Sequence, residues 1–290
     1  MRGCSYDKIK KVFPRGARAG KSCCASLSRI PALEWIVRIV QVVTKMVRML
    51  RRSVRLLIDA CPALYLPLCR LRANTRGRTI GWSTEIVIEG FPRSGNSFAV
   101  AAFVLAQRRA VAIAHHLHAP AHVVAGVKRG IPTLVLIRRP RDAVLSLSIR
   151  EPHISIEQGL KDYIRFYNLI GPYREGYTVS EFAEVIGRYG NVMRRLNTRF
   201  GTDYKLFDHT EENVKRCFQL VEIAHRSAMR AETVDEMAIE RPSQERDERR
   251  RELEKSVFQT SKERKLLREA ERVYAKFLAQ SAGRGVTSNP

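Results

Sequence analysis

Thr84-Glu85-Ile86-Val87-Ile88-Glu89, followed at once by Gly90-Phe91-Pro92-Arg93-Ser94-Gly95-Asn96-Ser97-Phe98, is the stretch on which the reading of this chain turns. Its first six residues alternate as a strand does, with Ile86 and Ile88 on one face. Gly90 and Gly95 frame a turn, and the apolar run 98–106 predicts a helix directly behind it. Strand, glycine turn and helix together build a phosphate cradle. The glycines let backbone N–H groups converge, and the helix N-terminus adds the positive end of its dipole.

The spacing is that of a nucleotide-binding loop, G-x-x-x-x-G-K-[ST], with Asn96 where the lysine belongs. That lysine reaches the β- and γ-phosphates of a nucleoside triphosphate, so its replacement argues against ATP or GTP hydrolysis. Arg93 offers a cation from inside the loop instead. A second segment lies at a fitting distance. The run 133–137, Thr-Leu-Val-Leu-Ile, predicts a buried parallel strand. It ends in Arg138-Arg139-Pro140-Arg141-Asp142-Ala143-Val144-Leu145-Ser146, where Pro140 suits the first turn of a helix. Arg138 then sits at the carboxyl end of the strand and Ser146 about two turns into the helix, at the edge where parallel α/β folds bind ligands. An Mg²⁺-dependent ATPase would end this strand in an acid. Two arginines repel a metal and attract phosphate, so no metal is expected.

Residues 90–98, GFPRSGNSF, resemble the 5′-phosphosulfate loop of the PAPS-dependent sulfotransferases, whose usual form is TYPKSGTTW. Residues 138–146 resemble that family's 3′-phosphate motif, R-N-P-x-D-x-x-x-S, with Arg139 in place of the Asn. The resemblance spans roughly residues 84–278 and implies an α/β fold of the P-loop NTPase-like sulfotransferase kind. That is a three-layer sandwich around a mainly parallel central sheet. It implies PAPS as co-substrate, with no divalent ion required. Arg93, Ser94, Gly95, Asn96, Ser97 and Phe98 would hold its 5′ end, and Arg138 and Ser146 its 3′-phosphate. Family members carry Lys where Arg93 stands. Arginine does not give up a proton at working pH, so an electrostatic role is expected of it.

The run 110–118, Ala-Val-Ala-Ile-Ala-His-His-Leu-His, predicts a further strand, with His116 and His118 on one face and His115 on the other. Cytosolic members of the family carry K-T-H-L-P in this interval, and His116-Leu117-His118-Ala119-Pro120 matches it position by position. The match implies that His118 is the catalytic base and that His116 replaces the lysine. Imidazole titrates near working pH, which suits it to that task. Other branches of the family use Glu, and Glu89 is the leading substitute here. His115 and His122 read as structural, because no Cys, Asp or Glu follows in sequence to complete a metal shell with the histidines. The family's C-terminal R-K-G-x-x-G loop is missing. In 240–246, Arg241, Ser243 and Arg246 stand as its substitutes. A charged helix start explains the same residues equally well.

The first 82 residues have another character, with eighteen Lys and Arg against three acids in a chain of net charge +23. Such an excess points to an anionic surface or substrate. Glu34, Arg38, Gln41, Lys45, Arg48, Arg52 and Arg55 recur at steps of three and four, which draws one polar stripe along an otherwise apolar helix. At 1.5 Å per residue this basic amphipathic segment is ~37 Å long. Its charges keep it from reading as a membrane span, and no secretory signal precedes it. The chain is expected in the cytoplasm. The apolar face of 34–58 is expected either on protein, as on the catalytic domain or a second copy in a homodimer, or peripherally on the inner face of a membrane. The expected organisation is a disordered basic tail at 1–30, the helical segment at 31–82, one catalytic domain at 83–280, and a disordered tail at 281–290. Six cysteines without a C-x-x-C pair suggest neither zinc nor a disulfide framework.

The expected activity is transfer of a sulfuryl group from PAPS to a hydroxyl or amine of a glycan, lipid or small molecule, with an anionic acceptor suggested by the charge. Two other readings stand beside it. One is a nucleotide or small-molecule kinase with a degenerate loop. The other is a non-catalytic basic protein of membrane surfaces. Specific nucleic-acid binding is not expected, since no basic surface is interleaved with base-stacking aromatics.

Overall fold

The computed structural model describes residues 31–229 and 235–282. The disorder expected for 1–30 and from 283 onward lies outside the described residues. Three helices precede the first strand: α1 (Pro31–Ile58), α2 (Pro62–Leu71) and α3 (Ala73–Arg76). Then β1 (Ile86–Gly90), α4 (Asn96–Ala106), β2 (Ile113–His115), α5 (Pro120–Lys128), β3 (Thr133–Ile137), α6 (Pro140–Arg150) and α7 (Ile156–Ile170) follow in strict alternation of strand and helix or helix pair. A 3₁₀ turn (Gly171–Gly176) leads to β4 (Thr178–Glu181) and α8 (Phe182–Phe200), which is broken at Arg188. The chain closes with α9 (Glu211–Met229), α10 (Gln244–Ser256) and α11 (Ser261–Ala282), the last reaching two residues into the tail expected to be disordered.

The protein is α/β, with a four-stranded, all-parallel sheet in the order β2-β1-β3-β4. Period-two alternation sorts each strand between two cores. Ile86, Ile88, Leu134 and Leu136 meet Phe98 and Phe103 of α4, Val185 and Tyr189 of α8, and Val221 of α9. On the other face Val135, Ile137 and Val179 meet α6, α7 and α11, while Val87 meets α2 and α5. Helices thus cover both faces, as a parallel sheet requires. Each fully buried Leu or Ile of these strands contributes about 1.5–3 kcal/mol. Two tyrosines one helical turn apart on α7 tie the end of β3 down: Tyr167 Oη donates to Leu136 O and Tyr163 Oη to Arg138 O, both at 2.8 Å. Gly90 is required where β1 passes β3, since a Cβ there would stand 2.4 Å from the Leu136 carbonyl oxygen.

Two expectations need correction. The strand predicted over 110–118 ends at His115. His116 and His118 lie beyond it in left-handed backbone, at φ 56° and 49°. The reason is the buried Glu89 carboxylate, which takes the N–H of Leu117 at 2.6 Å and of His118 at 3.1 Å and turns the chain off the sheet edge. The second correction concerns α1. Trp35, Val42, Val43, Met46, Leu50 and Val54 are all exposed, so the α/β domain leaves these described apolar positions uncovered. Among the described residues its anchors lie at the C-terminal end: Arg55 donates to the carbonyls of Leu117 and His118, Arg52 pairs with Asp162, and Arg165 donates to Leu56 O.

Candidate functional site

At the carboxyl ends of β1 and β3 the chain builds a crevice lined by arginines and the N-terminus of α4. Gly95 caps α4 in left-handed backbone, φ 92°, with Phe182 packed 3.1 Å from where a Cβ would stand. The N–H groups of Asn96, Ser97 and Phe98 open α4, whose first turn offers them no intrahelical acceptor. They are the donors of the cradle, together with the dipole of the helix. Ser94 N–H instead donates to Phe91 O at 3.3 Å, so it is not among the donors of the cradle, which begin at Asn96. Asn96 is turned inward, Nδ2 donating to Phe91 O at 3.1 Å, and ties the loop to itself. No side-chain cation stands at the position of the nucleotide-binding lysine.

The cations come from elsewhere. Arg93 adopts φ 67°, which costs on the order of 1–3 kcal/mol and directs its side chain across the crevice. Its Nε donates to Ser146 Oγ at 2.9 Å, and its Nη atoms donate to the carbonyls of Ala238 at 3.2 Å and Ile239 at 3.3 Å. Arg138 stacks 4.0 Å above the Phe182 ring and donates Nη1 to Arg93 O at 3.0 Å, while its buried Nε meets no acceptor. Burial lowers both guanidinium groups to about 10, which leaves them charged. Sunk in low dielectric and oriented mainly by neutral partners, with Glu240 close to Arg93 at 3.4 Å, they present strong, fixed positive potential.

The histidine loop forms the next wall. His118 Nδ1 lies 2.8 Å from Gly90 O. A carbonyl only accepts, so Nδ1 carries the proton and Nε2 keeps a lone pair. Burial pushes the His118 pKa below its ordinary value, with nearby Glu89 and the Gly90 bond pulling the other way. Its imidazole is therefore neutral at pH 7. His116 Nε2 lies 3.0 Å from Ser97 Oγ, and its ring is held neutral still more firmly by burial and the neighbouring His115. The two rings are 5.7 Å apart between centroids.

Glu89 organises this loop from beneath. Besides the two N–H groups it accepts His122 Nδ1 at 2.8 Å and Gly90 N at 3.3 Å, and it is wholly buried. Burial would raise its pKa, but His122, His118 and the Leu117 bond hold it below the usual value. With all its lone-pair directions engaged and no exposed surface, it positions the histidines and is closed to an acceptor. His122 also takes Ile80 N at 3.2 Å, so both its nitrogens are satisfied.

The segment before α10 completes the crevice. Arg241 and Arg246 line one cavity of about 350 Å³ with the cradle, Arg138, Ser146, His116 and His118. Ser243 is not in that lining. It caps α10, its Oγ 3.5 Å from Arg246 N. Arg241 is paired with Glu236 at 2.6 Å. Sequence reasoning missed four residues here. Arg150 follows Ser146 by one helical turn, a spacing that could have revealed it, and Arg250 repeats Arg246 in the same way. Glu240 lies 3.4 Å from Arg93 and is paired with Arg150, a carboxylate set among the arginines. Phe182, beneath Arg138, left no signal in its own stretch of sequence.

Three of the four non-glycine residues with positive φ among those described, Arg93, His116 and His118, stand in this one crevice. Strained backbone of that kind gathers where function over-determines geometry. The arrangement is that of an α/β protein with an arginine-rich crevice beside a neutral imidazole. No family model matches the chain, and no curated protein matches it.

Proposed function

We propose that the protein is a PAPS-dependent sulfotransferase. The observation that carries the reading is convergence: Arg93 with residues 95–98, Arg138 with Ser146, and His118 line a single cavity although they come from three separate segments. In this reading the cradle N–H groups and Arg93 hold the 5′-phosphosulfate, and Arg138 and Ser146 the 3′-phosphate, with Arg241 and Arg246 at the rim. The acceptor oxygen attacks sulfur in line, its proton passes to Nε2 of His118, and the sulfur–oxygen bond to the 5′-phosphate breaks to release 3′,5′-ADP. Charge gathers on the bridging and sulfuryl oxygens, where preorganised donors lower the barrier most. Arg93, still charged, acts on that oxygen electrostatically and transfers no proton. His116 orients Ser97.

A kinase reading is disfavoured by Asn96, whose amide is spent on Phe91, and by the absence of an acid at the end of β3, where a metal ligand would stand. Calorimetric titration with 3′,5′-ADP, with ATP–Mg²⁺ as control, tests the choice. 3′,5′-ADP is expected to bind more tightly than ATP, and Arg138→Ala to weaken it about 10–100-fold, the worth of charge-assisted bonds. Tight ATP binding with indifference to 3′,5′-ADP would return the loop to the kinases.

A further inference from the structure

A second cavity, of about 930 Å³, shares its wall with the first: His118 and Arg150 line both. The anion crevice approaches His118 from the side of the cradle. The second cavity approaches it from the N-terminal helices, which contribute Leu50, Val54, Arg55, Leu68 and Arg72. An acceptor that loses its proton to His118 while attacking sulfur in line has to reach the imidazole from the side away from the leaving phosphate. This is that side.

The lining says what kind of molecule fits. Its apolar part includes Leu56, Phe91, Leu147 and Phe166 within the wall. Leu50, Val54 and Leu68 line the cavity and are also exposed, at 66%, 49% and 43%. The apolar wall therefore runs out of the cavity and onto the uncovered stripe of α1, as far as Trp35. Polar groups lie in the same lining. Arg52 is paired with Asp162, and Arg165 with Asp59 at 2.7 Å. Among the described residues no carboxylate pairs with Arg55 or Arg72. Arg55 is spent only on the carbonyls of Leu117 and His118, at 3.0 Å each, so it ties the helix to the residue bearing the base without losing its charge. Chains along an apolar wall, an anion near Arg55 and Arg72, and a hydroxyl at His118 describe an amphipathic acceptor. Basic amphipathic helices with an uncovered apolar face lie in the interface of anionic bilayers, and no described helix is long and apolar enough to cross one.

We propose that the acceptor is an anionic lipid bearing a headgroup hydroxyl, taken from a bilayer on which α1 lies, with its headgroup in the second cavity. This assignment rests on the sulfotransferase reading. The headgroup oxygen bonds to sulfur, its proton goes to His118, and 3′,5′-ADP leaves, so one sulfate ester forms for each PAPS consumed.

Phosphatidylglycerol, anionic and with two free hydroxyls, is the probe. Two measurements on the full chain are made: binding of dioctanoyl phosphatidylglycerol by titration, and transfer of ³⁵S from labelled PAPS to phosphatidylglycerol in mixed vesicles with phosphatidylcholine. Both are repeated on Val54→Glu and Leu68→Glu, exposed positions where the fold tolerates a charge, with 3′,5′-ADP binding as a check on the other cavity. The expected result is labelled lipid, reduced at least tenfold in both variants, with 3′,5′-ADP affinity within twofold of the parent. Intact 3′,5′-ADP binding without lipid binding or label overturns the lipid assignment and leaves the sulfotransferase reading standing. Lipid binding without label overturns the acceptor role. Label passing to a hyaluronan tetrasaccharide instead, with both variants unaffected, makes the acceptor a soluble glycan. Loss of 3′,5′-ADP binding in the parent overturns both readings together.

Discussion

In the crevice at the end of β3, Arg93 and Arg138 are sunk in protein and held mainly by neutral partners, a serine hydroxyl, backbone carbonyls and an aromatic face, with the Glu240 carboxylate 3.4 Å from Arg93. Along α1 the order is reversed: Trp35, Val43, Met46 and Leu50 meet solvent, and among the described residues the ties to the domain lie in the last turns of the helix. The first region spends burial on orienting charge, so its geometry recognises one kind of ligand. The second leaves apolar area uncovered, so its energy is realised only when something covers it. An arginine count does not distinguish them; the partners do. A fixed guanidinium in low dielectric acts strongly on one atom, while a basic stripe in water acts weakly on a whole surface.

The sharpest break between the two regions is at His118. Replacing it with Ala is expected to lower sulfuryl transfer by about 10²–10⁴, the usual worth of a positioned base. 3′,5′-ADP affinity should change less than threefold, because in the proposed reading the imidazole serves the acceptor. A pre-steady-state assay with titration of the same sample separates the two. Equal losses in transfer and affinity would make His118 part of the nucleotide site and remove it as base.

Next in size is the response to pH. His116 and His118 both titrate below their ordinary 6.5 in the folded protein, chiefly through burial. The unfolded chain therefore binds more protons than the folded one as pH falls below about 6.5. The stability these neutral histidines contribute is complete above that pH and is lost progressively beneath it. Thermal midpoints should be level between pH 7 and 8 and should decline from pH 6.5 toward 5. The acid limb of kcat/KM should likewise have its midpoint below 6.5. Glu89, held below its usual 4.5, adds a separate loss at lower pH still. A kcat/KM midpoint above 7 would sink the assignment of a neutral buried base.

How much of this was legible in the sequence depended on whether the determinant was local. The run 133–137 is β3 residue for residue, because its apolar pattern is written along the element itself. The glycine turn and the Pro140 helix start were visible for the same reason. The histidine loop was not. Alternation promised a strand through His118, but Glu89, twenty-eight residues before Leu117, takes the N–H groups that would have continued the ladder. Glu240 was hidden by distance, meeting Arg93 across 147 positions. The apolar positions of α1 were visible, yet whether they would be buried or bare is a tertiary fact, and periodicity carries no information on it.

Glu240 offers a smaller but more discriminating test. Its carboxylate stands between Arg93 and Arg150, where an anionic ligand would compete for the same guanidinium groups. Glu240→Gln keeps the shape and removes the competitor, so 3′,5′-ADP should bind about three- to tenfold more tightly, with the gain shrinking as salt is raised. Weaker binding in this variant would mean that Glu240 holds the arginines in place for the ligand, and the crevice would be one preorganised by its ion pairs.

The smallest expected effect belongs to α1, and its smallness is the point. Val43→Ser and Met46→Ser replace exposed apolar groups, so in the isolated chain each should shift stability by no more than ~0.5 kcal/mol. Leu136→Ala, in the wholly buried sheet core, should cost about 2–5 kcal/mol. Chemical denaturation of the three variants at low and at high protein concentration checks both halves of the contrast. If the α1 variants lose one or more kcal/mol, and only at high concentration, then a second copy covers the stripe, since a face shared between copies becomes costly to spoil as association sets in. If they lose nothing at either concentration, the stripe is bare in solution, and the hydrophobic energy stored in it is available to a surface outside the chain.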